Sequence, residues 1–170
     1  MKVKANERWF YTMDNMVLSL LVDNTSGVLS RVSGLFSRRG YNIDSVTVGV
    51  TENPAYSRMT VAVSGDNTSL GQIKKQLNKL EDVVEIVELE AGHSVCRELV
   101  LVKVKSSKET RQDIISIADI FRANIVDVSK GSMMIELTGA TSKVEAFLNL
   151  LDGFEIVELV RTGLTGLVRG

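Results

Sequence analysis

The chain is poor in the residues that most often carry chemistry. Its 170 residues include one cysteine, Cys96, and one histidine, His93. A lone cysteine excludes an intramolecular disulfide framework and fits a reducing, cytoplasmic setting. His93 and Cys96 form an H-x-x-C pair, but a zinc site needs three or four ligands, and no second His or Cys exists to supply them. The same shortage excludes a Ser-His-Asp set beyond that one histidine, which falls in an expected linker. With a single proline, long irregular regions are not expected. Charge of one sign is also lacking: the net charge is −1, which argues against the basic face a nucleic-acid binder needs. No helix-turn-helix is visible. No apolar run approaches the roughly 18–20 residues of a membrane helix. Neither a phosphate-binding G-x-x-x-x-G-K-[ST] loop nor a G-x-G-x-x-G after a strand occurs.

What is present is an ordinary globular composition, 44% hydrophobic and 24% charged. Residues 1–15 read as an N-terminal extension whose Trp9, Phe10 and Tyr11 dock on the domain or a partner, or simply fray. Met16 to Val22 is a nearly continuous apolar run, suited to a central strand buried on both faces. From Val28 the period changes to Val28, Val32, Leu35 and Phe36, with Leu29 alongside, which is one face of a helix. Asn24, Thr25 or Ser26 can cap its start. Arg38 and Arg39 suit its last turn, and Gly40 is a natural stop. Tyr41–Thr51 and Arg58–Ser64 alternate as strands. Gly65-Asp66-Asn67-Thr68 reads as a turn with a capping residue. Leu70, Ile73, Leu77 and Leu80 mark a second helix, and Val83–Leu89 a closing strand.

The order then repeats after Ala91-Gly92-His93. Val95–Val104 is a strand, and Asp113–Phe121 a helix with Ile114, Ile117, Ala118 and Phe121 on one face. Asn124–Val128 and Met133–Leu137 are strands. A short helix carries Val144, Phe147, Leu148 and Leu151, and Glu155–Val160 is the last strand. Glu85-Ile86-Val87-Glu88-Leu89 recurs as Glu155-Ile156-Val157-Glu158-Leu159, an internal repeat. The expected fold class is α+β, two tandem ferredoxin-like βαββαβ units. The expected domains are 16–91 and 95–170, the second ending in a loose, glycine-containing tail, Thr162-Gly163-Leu164-Thr165-Gly166-Leu167.

The candidate site is the turn Asp23-Asn24-Thr25-Ser26-Gly27 into the first helix. Short polar residues and a glycine leave the backbone N–H groups of the helix start free to receive an anion. The corresponding turn of the second half, Ser106-Ser107-Lys108-Glu109-Thr110, lacks the glycine and carries two charges, so ligand binding is expected of the first half alone. Asp82, Glu85, Glu88 and Glu90 read as a solvated, pairing-resistant strand edge rather than an acid/base pair.

Leu21-Val22-Asp23-Asn24-Thr25-Ser26-Gly27-Val28-Leu29-Ser30-Arg31-Val32, the block Gly34-Leu35-Phe36-Ser37-Arg38-Arg39-Gly40-Tyr41-Asn42-Ile43, and Ser57-Arg58-Met59-Thr60 closely resemble the regulatory small subunits of acetolactate synthase (acetohydroxyacid synthase). The resemblance runs from about Met16 to Gly170. It implies an N-terminal ACT domain and a C-terminal ACT-like domain, with no catalytic site of their own. It further implies a homodimer through the ACT domains that binds and activates a large catalytic subunit. Thiamine diphosphate, FAD and Mg²⁺ would sit on that subunit, none on this chain. Feedback inhibition by valine is implied, the effector lying between two ACT domains. Carried over, the effector residues are Asn24, Gly27, Val28, Leu29 and Ser30 of the loop, and Asn42, Ile43, Asp44 and Thr47 of the following strand. Helix-start N–H groups would take the effector carboxylate. An Asn24 or Asn42 side-chain oxygen, or Asp44, would take the ammonium. Val28, Leu29 and Ile43 would wall the branched side chain. One methylene is worth only about 1–3 kcal/mol in such a pocket, so the sequence does not choose among valine, isoleucine and leucine. The alternatives are a free-standing amino-acid-sensing module and an independent small enzyme.

Overall fold

The computed structural model describes residues 15–38, 41–65 and 67–170. The expected extension with Trp9, Phe10 and Tyr11, the helix stop at Arg39-Gly40, and Asp66 lie outside the described residues. The chain divides into two compact units. One runs up to Cys96 and also includes Gly163–Gly170; the other is Arg97–Thr162.

In the first unit the strands and helices follow as β1 (Asn15–Asp23), α1 (Val28–Arg38), β2 (Asn42–Val50), β3 (Tyr56–Ser64), α2 (Asn67–Leu77) and β4 (Val83–Glu88). The sheet order is β2-β3-β1-β4 with antiparallel neighbours, the split βαβ arrangement expected from the sequence. Helix α1 buries Val28, Val32, Leu35 and Phe36, the stripe that its 3.6-residue period dictates. They pack on Leu18, Leu20 and Val22 of β1 and on Met59, Val61 and Val63 of β3, joined by Leu70, Ile73 and Leu77 from α2. Because side chains alternate along a strand, the opposite face carries Ser19, Thr60 and Ala62, all buried as well.

The cover over that opposite face is the C-terminal tail, and here the expectation of a loose tail fails. Residues Thr165–Val168 form a further strand, β9, so the strand ending at Arg161 is not the last. Leu164 is only 6% exposed. Thr47 Oγ1 donates to the Leu164 carbonyl at 2.8 Å, and Leu164 N to Ser45 Oγ at 3.4 Å. Further along, Arg169 N donates to the His93 carbonyl at 2.9 Å. Two glycines make the fit: Gly163 has φ +84°, and a Cβ there would stand 2.4 Å from Ser45 Cβ, while one at Gly166 would stand 2.6 Å from Cys96 Sγ. The glycines that suggested looseness are the points of closest approach.

The second unit repeats the plan with β5 (Ser94–Lys105, its first residues in the first unit), α3 (Arg111–Phe121), β6 (Asn124–Val128), β7 (Ser132–Gly139), α4 (Thr141–Leu151) and β8 (Ile156–Arg161). The order is β6-β7-β5-β8, with β9 pairing β5. Its core joins Val100, Val102 and Val104 to Ile114, Ala118, Phe147 and Leu151. Arg161 forms two hydrogen bonds to Glu98, at 3.0 and 2.6 Å, and one to Glu145, at 2.7 Å. The expected short helix is as long as the other three, 11 residues.

Candidate functional site: the loop before the first helix

The turn between β1 and α1 is held by the β2–β3 turn, not by its own helix. Asn24 N donates to the Ala55 carbonyl at 2.8 Å. Its side-chain Nδ2 donates to the Pro54 carbonyl at 2.9 Å, and its Oδ1 accepts from Ser57 Oγ at 3.0 Å. Asn24 is therefore a clamp. Its amide nitrogen and oxygen are both engaged with the β2–β3 turn and β3 rather than in capping α1. The clamp fixes the approach to Gly27, whose φ of +84° lies in the left-handed region that favours glycine. A Cβ on Gly27 would stand 2.9 Å from Arg31 Nη1. Arg31 in turn makes a two-pronged pair with Asp82, 2.6 and 2.7 Å. That pair holds the Asp82 carboxyl below its ordinary range, chiefly through the Arg31 hydrogen bond.

Val28 and Leu29 follow, with opposite fates. Val28 is 2% exposed and belongs to the core, so its side chain does not wall a surface pocket, a second correction; what it offers to solvent-side chemistry is backbone at the helix start. Leu29 is 47% exposed. Ser30 is exposed, and its carbonyl accepts from Ser33 Oγ.

On β2, Ile43 packs partly buried against the core. A register shift between Ile43 and Ser45 makes a bulge at Asp44. The bulge resets the alternation, so Val46 and Val48, opposite Val61 and Met59, lie on the helix side, whereas Thr47, opposite Thr60, lies under the tail. Thr47 thus faces away from α1. Asn42 Nδ2 donates to Asp44 Oδ1 at 2.7 Å, and Asp44 Oδ2 accepts from Ser64 Oγ.

One protomer does not bring these residues together. The loop precedes α1 and Asn42 follows it, so an 11-residue helix separates them, a span of about 16 Å at 1.5 Å per residue. Between them runs β2, an edge strand of nine residues whose Val46, Val48 and Val50 are exposed. Its one charged side chain is Asp44 at the bulge. Such an edge is a template for pairing with another strand. Sequence reasoning missed Ser57, Pro54 and the tail as supports of the site.

Elsewhere no catalytic constellation forms among the described residues. Three of the four carboxylates near β4 meet a cation, Asp82 with Arg31, Glu85 with Arg58 at 3.8 Å and Glu88 with Lys74, while Glu90 lies 3.6 Å from His93 Nδ1. No group of three or more potential metal ligands occurs among the described residues, and no helix there is long and apolar enough to cross a membrane.

The fold and the glycine turn define a class: an ACT-type α+β protein of two tandem ferredoxin-like units. Two family models extend this over nearly the whole chain. Residues 18–85 match the model described as the AHAS small subunit-like ACT domain, and residues 97–170 the model described as the small subunit of acetolactate synthase. The chain is 49% identical over 153 residues to the acetolactate synthase small subunit of Mycobacterium leprae, covering 90% of each. It is also 49% identical over 158 residues to a probable acetolactate synthase small subunit of Methanothermobacter thermautotrophicus, covering 92% of this chain and 94% of the other. Among solved structures, the acetolactate synthase small subunit of Thermotoga maritima superposes with a TM-score of 0.85 at 42% identity, over 93% of this chain and 99% of that one. The chain belongs to the acetolactate synthase small-subunit family. It is the non-catalytic regulatory component of that enzyme, and a large catalytic subunit is its partner.

Proposed function

We propose that this chain activates its catalytic subunit and makes it sensitive to valine, bound between the N-terminal units of a homodimer. The observation that carries the reading is the separation of the Gly27 loop from Asn42 by the length of α1, with an apolar strand between them whose outer edge is unpaired among the described residues. If β2 pairs antiparallel with the β2 of a second copy, the Asn42 end of one strand lies beside the Val50 end of the other. The Val50 end is the loop end, because Asn24 is clamped to the turn that follows β2. The twofold pairing therefore completes two equal sites, each from the loop of one copy and the Asn42–Asp44 corner of the other.

In each site the N–H groups following Gly27 take the effector carboxylate, Asp44 or the Asn42 carbonyl oxygen takes the ammonium, and Leu29 with the exposed valines of β2 meets the branched side chain. An effector at an interface favours one arrangement of the two copies over another, and it acts on the catalytic subunit only through that difference. Thiamine diphosphate, FAD and Mg²⁺ belong to the catalytic subunit, and the complex works in the cytoplasm.

Gly27→Asp tests this. The added carboxylate repels the effector's own. The expected result is a folded subunit that still activates pyruvate condensation by the catalytic subunit but no longer responds to valine. Unchanged valine inhibition would remove the site assignment.

A further inference from the structure

The stretch Ser57-Arg58-Met59-Thr60 is only partly accounted for by the site above. Ser57 holds Asn24, Met59 lies in the core, and Thr60 is buried under the tail. Arg58 is left. It points to the sheet face opposite the helices, in the row Gly49, Arg58, Leu21, Glu85 that runs across the four strands. There it borders a recess of about 280 Å³ walled by Ser19, Glu85 and Val87 from the sheet and by Leu167 and Val168 from β9.

The guanidinium is held in place from beneath. Arg58 Nη1 donates to the hydroxyl of buried Ser19 at 3.0 Å. Glu85 stands 3.8 Å away, beyond hydrogen-bond distance, and is itself half exposed. Arg58 is therefore anchored through Nη1, keeps Glu85 as a loose ion-pair partner, and lines the recess. Around it, Leu167 and Val168 are large apolar side chains left in solvent, and the position beside it on β2, Gly49, has nothing above it. A fixed arginine among exposed apolar residues is the usual composition of an interface anchor.

We infer that this recess seats the catalytic subunit, taking from it an acidic side chain flanked by apolar residues. The inference rests on the regulatory reading above. A recess of this size holds one anchoring side chain, not an interface of about 800 Å² per partner, so neighbouring residues of the same face, Gly49 and the exposed side of β9 included, complete the contact. The choice of an acidic occupant follows from the five-donor guanidinium, which matches a carboxylate in two-pronged geometry.

The recess also explains how docking and effector binding communicate. Ser57 and Arg58 are adjacent on β3 and point to opposite faces. Ser57 grips Asn24, which fixes the Gly27 loop, while Arg58 grips the partner. A shift of β3 at this point acts on both. Reciprocity then requires that the partner change effector affinity by the factor by which the effector changes partner affinity.

The test titrates the family's catalytic subunit with the full-length chain and reads the concentration giving half-maximal activation. Losing one partner of a desolvated charge pair weakens such contacts by at least about tenfold. Arg58→Leu and Leu167→Asp are each expected to raise the half-activation concentration by at least that factor. Arg58→Lys, which keeps the charge and loses the fork, should fall between. Valine binding to the free subunit, followed by calorimetry, should survive all three. Leu167 is exposed, so its variant keeps the test valid should Arg58→Leu misfold. Half-activation equal to wild type in both Arg58→Leu and Leu167→Asp overturns the inference. So does calorimetric valine binding to the free subunit that disappears in Arg58→Leu, which would make the recess a small-molecule site. A wild-type chain that leaves the catalytic subunit unaffected overturns the regulatory reading itself, and this inference with it.

Discussion

Replacing Gly163 by alanine should loosen the C-terminal tail on the first unit while leaving both cores folded. The magnitude follows from two opposed quantities. Docking is worth roughly 1.5–3 kcal/mol for burying Leu164, plus about 1 kcal/mol for the hydrogen bond from Thr47 to its carbonyl. Against this, alanine at φ +84° costs about 1–2 kcal/mol. Its Cβ would also stand 2.4 Å from Ser45 Cβ and 3.6 Å from Ser45 Cα, so strand β2 itself must give way; overpacking of that kind costs about 1–3 kcal/mol. The strain matches these two contacts but not the β9–β5 pairing and the Arg169 bond to the His93 carbonyl, so the tail should open far more often without coming free altogether. Amide hydrogen exchange reads this directly. Each loss of about 1.4 kcal/mol lowers the protection of the β9 amides about tenfold, while amides of β1 and β3 keep theirs. Gly131→Ala is the control, because Gly131 has open space around it and no left-handed φ; it should be neutral within about 0.5 kcal/mol. Wild-type protection of β9 in Gly163→Ala would refute the reasoning, because the strain at φ +84° and at Ser45 would then have been absorbed without loss of docking.

Two further predictions concern ion pairs. Arg161→Met leaves Glu98, 3% exposed, without its two-pronged partner; breaking such a pair costs about 3–5 kcal/mol. The melting temperature should drop markedly, and the double variant Arg161→Met with Glu98→Leu should recover most of the loss. A double variant no more stable than the single one would show that the pair is not the cause. The Arg31–Asp82 pair predicts a pH dependence. Asp82 titrates below the ordinary carboxylate value in the folded state, so its stabilising contribution is complete above that ordinary value, about 3.9, and is lost as the pH falls through the lower, folded one. The difference in melting temperature between the native chain and Asp82→Asn should be constant from about pH 5 to 8 and shrink below about 4. A difference that grows on acidification would contradict this sign.

Much of the fold was legible because its signals are local. The stripe Val28, Val32, Leu35 and Phe36 needs only the helical period, and the EIVEL echo needs only comparison of the chain with itself. The glycine of the candidate loop was legible for the same reason, since its left-handed φ is a property of one residue. What stayed hidden depends on residues far away in sequence. Asn24 looks like a helix cap until the Pro54 carbonyl and Ser57 hydroxyl, some thirty positions on, claim its amide. Thr47 looks like a neighbour of Ile43 on one face until the bulge at Asp44 reverses the alternation. The tail reads as loose because Gly163 and Gly166 carry no apolar surface of their own; their value is the close approach they permit to Ser45 and Cys96.

The returning tail also sets an order of events during synthesis. The first unit is made first, and its helix-side core can close as soon as β4 has been made. Its other sheet face cannot, because the cover for Ser19, Thr60 and Ala62 is encoded in Gly163–Gly170. Until that segment is made, the nascent chain carries an uncovered sheet face beside the edge strand β2. A protein arranged this way completes its first unit only once Gly163–Gly170 has been made, so that chains broken off before that segment, including those that stop after the second unit, lack the surface completed by β9.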